Sequence, residues 1–297
     1  MDLHDYVAGE IATDCADGLI SRREALRRLG LIGLGTVSAG ALLAACGGGD
    51  DTAGKSSGTS RAGARSTSTT TIATPPGGAE VESIVVSGRQ AVFAAAAKPK
   101  GAVLLVHEIF GLTDHFRSLT GRLAGDGYSA ITVDLVPDGT RTVGDQGKVI
   151  SILTGSPEDR LLADMRLGLD ELERRAPGAK LAVVGFCFGG GLTWRLLAAG
   201  EPRVAVAIPF YGPAPDAPDF SRSRAAVLAI YGELDGRVNA TRDTAVSALR
   251  RAGLTYEVRT FPGADHGFFN DTGARYNATA AADAYRDVLD WFSRYLG

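Results

Sequence analysis

Cysteine, histidine, methionine and tryptophan are all scarce in this chain, and charge of neither sign prevails. Three cysteines in 297 residues, Cys15, Cys46 and Cys187, are too few and too scattered for a disulfide framework or for the cysteine pairs of a zinc site. The four histidines, His4, His107, His115 and His266, leave few candidates for a general base. A formal net charge of −3 gives no electrostatic case for nucleic acid as a partner. Large apolar residues are nearly missing from residues 46–80, which are rich in Gly, Ser, Thr and Ala. Such a segment cannot bury enough surface to offset its ordering entropy, so it reads as a flexible tether with an end-to-end distance of roughly 30 Å. Residues 81–297 remain, enough for one large α/β domain.

What precedes the tether is not low in complexity. SRREALRRL (21–29) is basic, the following GLIGLGTVSAGALLAA is apolar, and Cys46 comes next. That order reads residues 1–45 as an export signal. Arg22 and Arg23 resemble a twin-arginine signal, with Ala25 where a large apolar residue is usual. LAAC (43–46) resembles a bacterial lipobox, which implies cleavage before Cys46 and lipid on its sulfur. The expected location is outside the cytoplasm, on the outer face of the cell membrane or in the periplasm or medium, with an uncleaved anchor as the alternative. Cys15 would then be removed and Cys46 lipidated, leaving Cys187 as the one free thiol of the mature domain.

From residue 81 onward short β-like runs alternate with amphipathic helical ones. VESIVVSG and QAVFAAAAKP read as an opening pair of strands. GAVLLVHE (101–108), SAITVDL (129–135), AKLAVVGF (179–186), RVAVAIPFYG (203–212), AAVLAIYGELDG (225–236) and TYEVRTFPGADHG (255–267) read as further strands with their terminal loops. Helices are expected over 115–128, 156–177, 190–200, 239–252 and 276–296, while 136–157 is ambiguous. Alternation of this kind predicts an open, mostly parallel sheet covered on both faces, with functional residues in the loops after the strands.

One such loop carries Gly185-Phe186-Cys187-Phe188-Gly189, a G-x-C-x-G pattern between a strand and a helix, the context of a nucleophile elbow. The glycines leave room for a sharp turn, and the following helix N-terminus favours negative charge on the sulfur. The N–H of Phe188 is a candidate oxyanion donor. Asp235 in ELDG and His266 in GADHGF follow later strands, giving the order nucleophile, acid, histidine. His107 reads as a packing residue near the site, Trp194 as core, and Phe186, Phe188 and Tyr211 as pocket or core. Asp134 is an alternative acid, although it precedes the nucleophile.

These motifs together resemble the dienelactone hydrolase family, a branch of the α/β-hydrolase fold that uses Cys-His-Asp. HEIFGL (107–112) resembles its signature after the third strand, GFCFGG its nucleophile motif, and YGELD and DHGF its acid and base motifs. The resemblance implies Cys187 as nucleophile, His266 as base and Asp235 as its orienter. It further implies Glu108 as a carboxylate that interacts with the resting thiol, and the N–H of Ile109 as the second oxyanion donor. It implies an α/β-hydrolase fold and hydrolysis of a small ester or lactone without metal or organic cofactor; with the lipobox reading, the expected form is a monomer held to the membrane through lipidated Cys46. The sequence departs after His266, where GFFNDTGAR puts Asn270 at the place of an expected arginine. Arg141, Arg195 and Arg275 are the other cations available to a substrate carboxylate. The departure keeps open a general carboxylesterase or thioesterase of the same fold, and beyond it a non-catalytic ligand-binding lipoprotein.

Overall fold

Strands that read as unbroken apolar runs lie in the middle of the sheet. In the computed structural model, which describes residues 1–45, 78–137 and 145–297, β1 (Glu82–Val86) and β2 (Arg89–Ala94) open an eight-stranded sheet. It continues with β3 (Gly101–Val106), β4 (Tyr128–Val133), β5 (Leu181–Phe186), β6 (Val204–Phe210), β7 (Ala226–Gly232) and β8 (Tyr256–Phe261). The strand order is β1-β2-β4-β3-β5-β6-β7-β8; β1 and β2 pair antiparallel, β2 pairs antiparallel with β4, and the others run parallel. Every residue of β3, β4, β5 and β7 is buried, as parallel strands covered on both faces require. Each such Val, Leu, Ile or Phe side chain contributes about 1.5–3 kcal/mol by leaving water.

The helices α1 (Leu3–Ala16), α2 (Arg22–Leu31) and α3 (Thr36–Ala45) come first in the chain. Then follow α4 (Asp114–Gly125), α5 (Gln146–Thr154), α6 (Glu158–Arg175), α7 (Phe188–Ala198), α8 (Gly236–Asn239), α9 (Arg242–Arg251) and α10 (Ala278–Tyr295). Adjacent residues of β4 reveal the layering, because successive strand side chains point to opposite faces. Thr132 shares a hydrogen bond with Thr120 of α4, whereas Val133 stands within 3.0 Å of the place a Cβ on Gly168 of α6 would take. So α4 and α6 cover opposite faces. The hydroxyl of Tyr285, on α10, donates to Asp126 at the end of α4 (2.6 Å).

Three boundaries become definite in the structure. The ambiguous stretch holds α5, started by Asp145, whose carboxylate accepts the Lys148 N–H (3.0 Å). The helical run expected over 239–252 is two helices, α8 and α9, with Thr241 between them, its hydroxyl donating to the Val238 carbonyl. The strand β8 stops at Phe261 because Pro262 has no N–H to continue the ladder, and Gly263 turns the chain at φ 64°.

Residues 1–45, expected as an export signal, fold as α1–α3 against the domain. The carboxylate of Asp2 caps α1 by accepting the His4 N–H (2.7 Å). Leu3, Tyr6, Val7 and Ile11 fall at helical spacing and are buried. The second helix reaches α5, where the Ser151 hydroxyl donates to the Leu31 carbonyl (2.6 Å). Among the described residues no helix is long and apolar enough to cross a membrane. Cys46, most of the expected tether and Arg141 lie outside the described residues.

Candidate active site

Between the last residue of β5, Phe186, and the first of α7, Phe188, one residue must turn the chain. Cys187 does so at φ 56°, ψ −117°, a left-handed φ that costs a residue with a Cβ on the order of 1–3 kcal/mol. The turn is tied down: the Cys187 N–H donates to the Phe210 carbonyl (3.0 Å) and the Gly191 N–H to the Cys187 carbonyl (3.0 Å). Space, not only conformation, demands the flanking glycines. A Cβ on Gly185 would run into the Gly189 carbonyl oxygen and the Thr193 hydroxyl, and one on Gly189 into the carbonyl of Val106. The Phe188 N–H belongs to the first turn of α7, where no intrahelical acceptor exists. Cys187 is 6% exposed.

The loop after β8 brings His266 to the same place, and the loop after β7 brings Asp235. The Nδ1–H of His266 donates to Asp235 Oδ2 at 2.7 Å. The other oxygen of Asp235 accepts the Val238 N–H (3.2 Å) at the start of α8, so the carboxylate is fixed from two sides. On the far side of the imidazole, Nε2 meets the hydroxyl of Tyr6 at 3.0 Å, and that same hydroxyl is 3.3 Å from Cys187 Sγ. Tyr6 also stands edge-on to the His266 ring, with centroids 6.0 Å apart.

The charges around His266 are unusual for a buried imidazole. Glu10 of α1 puts Oε2 3.8 Å from His266 Nε2. Burial alone pushes the His266 pKa down, but the carboxylates of Glu10 and Asp235 and the sulfur of Cys187 outweigh it and hold the pKa well above its ordinary value. Burial raises the pKa of Glu10, although His266 and Arg237 oppose that. The Tyr6 phenol is raised well above the ordinary tyrosine range, first by burial and then by Cys187 and Glu10. Glu10, Asp235 and His266 offer three donor atoms within 4.8 Å of one another, one of two such groupings among the described residues, the other being Asp2, His4 and Asp5. Each also has an organic partner: Glu10 pairs with Arg237, and Asp235 with His266.

Glu108 follows β3 and is buried, with both carboxylate oxygens engaged. Tyr211 O–H donates to Oε1 (3.2 Å) and Asn270 Nδ2 to Oε2 (2.7 Å). Burial, then the Glu108 charge, raises the Tyr211 pKa well above its ordinary range. The hydrogen-bond partner of the Cys187 thiol is Tyr6. Ile109 lines the same cavity as Cys187, His266 and Glu108, a space of about 400 Å³.

The remaining candidates sit elsewhere. His107 is fully buried; its Nδ1–H donates to the Glu108 carbonyl (2.7 Å) and its Nε2 accepts the Leu135 N–H (3.0 Å). Asp134 lies beside His107, with Oδ1 3.5 Å from Nε2. His115 pairs with Asp271 (2.7 Å). Phe186, Phe188 and Trp194 are core. Arg195 is buried between Glu158 and the carbonyl oxygens of Met1 and Gly191. Arg275 lines the cavity but is paired with Asp14 (2.8 Å), Asp17 (2.5 Å) and Asp265 (3.4 Å).

Sequence reasoning missed Tyr6, Glu10, Arg28 and Asn270 as residues of this site. The spacing of Leu3, Tyr6, Val7 and Ile11 after a capping aspartate was a legible helix signal, but nothing local says where that helix docks. Asn270 was noted for the arginine it replaces, not for the carboxylate it holds.

The sequence profile of the dienelactone hydrolase family matches residues 89–296. A relative from Escherichia coli O157:H7, named "Putative carboxymethylenebutenolidase", is 32% identical over 219 residues, covering 67% of this chain and 79% of that protein. The crystal structure of a "Putative Dienelactone Hydrolase" from Klebsiella pneumoniae subsp. pneumoniae MGH 78578 is similar with a TM-score of 0.60 at 31% identity, covering 72% of this chain and 98% of that one. A "Dienelactone Hydrolase-like Promiscuous Phospotriesterase P91" from metagenomic libraries shares the fold at 23% identity, with a TM-score of 0.63 and coverage of 73% and 98%. The helices α1–α3 precede the first residue matched to the family.

Proposed function

We propose, for a chain that belongs to the dienelactone hydrolase family, that it hydrolyses a small ester or lactone with Cys187 as nucleophile, His266 as proton carrier and Asp235 as its orienter. One observation carries this reading: His266 is held by Asp235 at 2.7 Å while its free nitrogen and the sulfur of Cys187 face the same oxygen atom, that of Tyr6. Nucleophile and base thus address a single point in space, as a displacement at an acyl carbon requires.

The steps follow from that geometry. Once the Glu10 charge is gone with residues 1–45, the thiol proton passes to Nε2 of His266 and the sulfur attacks the acyl carbon, forming a C–S bond as the carbonyl electron pair moves onto oxygen. The N–H groups of Ile109 and Phe188 receive that oxyanion. Collapse breaks the bond to the leaving oxygen, which takes the proton from Nε2. Water then gives a proton to Nε2 and attacks the thioester, the C–S bond breaks, and the departing sulfur takes that proton back from Nε2. Asp235 keeps Nδ1 protonated throughout, so Nε2 is always the nitrogen that trades protons. Glu108, fixed by Tyr211 and Asn270 in the lining of the same cavity, is the carboxylate assigned to keep the thiol protonated until substrate enters.

The cations of the cavity favour an uncharged substrate. Arg275 is surrounded by three carboxylates and Arg28 is bound to Glu24 (2.7 Å), so neither offers an open site to a substrate acid. With residues 1–45 in place, neutral esters and lactones are therefore the preferred class; without them Arg275 keeps only Asp265 and can meet a substrate carboxylate. Location outside the cytoplasm, with Cys46 lipidated after removal of residues 1–45, completes it.

The test compares the full chain with Cys187→Ala on cis- and trans-dienelactone and on p-nitrophenyl acetate. Turnover that disappears in the variant supports the assignment, and preference for the nitrophenyl ester supports the neutral class. A variant as active as the wild type on every substrate sinks the nucleophile assignment.

A further inference from the structure

We propose that α1 is an intramolecular occupant of the active site, and that the Tyr6 phenol holds the enzyme closed by filling the position of the reacting atoms. The inference rests on the Cys187–His266 reading above and goes beyond it.

Attack needs an acyl carbon about 3–3.5 Å from the sulfur, and proton transfer needs a leaving or water oxygen about 2.6–3.2 Å from the imidazole nitrogen. The Tyr6 oxygen meets both conditions, at 3.3 Å from Sγ and 3.0 Å from Nε2. No substrate carbonyl fits between groups that already share a hydroxyl. The side chain is 1% exposed, so it is seated in the site and not draped across its mouth.

Named contacts hold α1 in place along its length. Near its start, Arg195 Nη2 donates to the Met1 carbonyl (2.8 Å) and Leu3 is buried. At mid-helix Glu10 pairs with Arg237, whose guanidinium lies against the backbone at Gly9. At the end Asp14 and Asp17 both grip Arg275. Farther on, Arg27 reaches Asp145 (3.4 Å) and Arg28 reaches Gln146 (3.2 Å). These ion pairs, several of them part-exposed, act together with the buried Leu3, Val7 and Ile11, so breaking them loosens a helix that apolar contact alone must then hold.

A catalytic role for the phenol fits less well. Interposed between nucleophile and base, it separates the two groups whose proton exchange starts the reaction. All three N-terminal helices also precede the residues matched to the family. Cutting the chain before Cys46 would detach the occupant, so the same event that exposes Cys46 for lipidation would uncover the thiol of Cys187.

The experiment uses the full chain, Tyr6→Ala, which empties the site but leaves the helix, and Asp14→Arg with Asp17→Arg, which repels Arg275 and frees the helix. Cys187 alkylation by iodoacetamide is followed by mass spectrometry of its own peptide, separating it from Cys15 and Cys46, alongside kcat/KM on p-nitrophenyl acetate. Both variants are expected to alkylate at least tenfold faster than the wild type, with kcat/KM raised to a similar degree. A synthetic peptide of residues 1–20 should slow the charge-reversed variant again. Equal alkylation rates in all three proteins overturn the proposal. So does faster alkylation with kcat/KM lowered in both variants, which makes α1 a working wall of the site. Faster alkylation without turnover of any ester by any protein, wild type included, supports occlusion and defeats the hydrolase reading instead.

Discussion

Substitution of Gly190 by alanine measures how tightly the elbow is built. Gly190 lies in the first turn of α7, where a Cβ would sit 2.5 Å from the Phe210 carbonyl oxygen and 2.9 Å from the Gly212 Cα. Ordinary contact begins near 3.4 Å, so the methyl group intrudes by about 0.9 Å on backbone, which has no flexible end to swing aside. Overpacking of this kind costs roughly 1–3 kcal/mol, and a backbone obstacle puts Gly190→Ala at about 3 kcal/mol. For a domain of this size that is a fall in Tm of roughly 6–12 °C. The Phe210 carbonyl also accepts the Cys187 N–H, so a shift there moves the proposed nucleophile, and a displacement near 1 Å costs about 100-fold in rate. The assays are urea and thermal unfolding together with p-nitrophenyl acetate turnover. Gly30→Ala in α2, with no atom within 4 Å of its Cβ, is the control and should gain a few tenths to about 1 kcal/mol. The reasoning is refuted if Gly190→Ala unfolds within about 1 kcal/mol of wild type and keeps full activity.

Three further outcomes are expected. Asp235→Asn removes the acceptor that fixes the His266 tautomer, and kcat/KM should fall by roughly 10²–10⁴; a loss under threefold would contradict the assigned role. Glu10→Gln removes a carboxylate that raises the His266 pKa, so the imidazole, followed by NMR, should titrate at lower pH. A raised histidine stabilises the fold fully below its unfolded pKa near 6.5 and loses that contribution as pH rises through the folded value. The raised Glu10 acts with the same sign, from its own lower unfolded value, so Tm should decline less from pH 6 to 9 in the variant; parallel curves would count against it. Asn270→Ala strips a hydrogen bond from the buried Glu108 carboxylate, with an expected cost of about 1.5–3 kcal/mol in urea unfolding; an unchanged midpoint would show that Glu108 does not depend on it.

The sheet and the Cys187 turn were legible because their causes are local. Runs such as GAVLLV and AVLAIYG carry β-branched and apolar residues at every position, and that is what a strand buried on two faces looks like in sequence. The elbow was legible because its glycines are demanded by backbone atoms within a few residues and one strand away. That Asp235 and His266 follow successive strands was readable from chain order, and that they meet at 2.7 Å is a fact of the fold. The part that did not show was the docking of residues 1–45. Basic residues before an apolar run read as an address label, and the same residues form helices whose partners, Arg195, Arg237, His266 and Arg275, lie far along the chain. Asn270 illustrates the same gap on a smaller scale: its hydrogen bond spans 162 positions to Glu108, and no local pattern reports it.

The span between Tyr6 and His266, 260 positions, sets an order of events during synthesis. At roughly 5–20 residues per second, some 13–50 s pass between the making of the phenol and of the imidazole that receives it. Through that interval α1 has no seat, because the loops that build one are still being translated. Closing so long a loop also ranks among the slowest steps of folding, since its entropy must be met before any contact returns it. Newly made chains therefore pass through a stage in which α1 is not yet docked, and the length of that stage is set by the rate of synthesis.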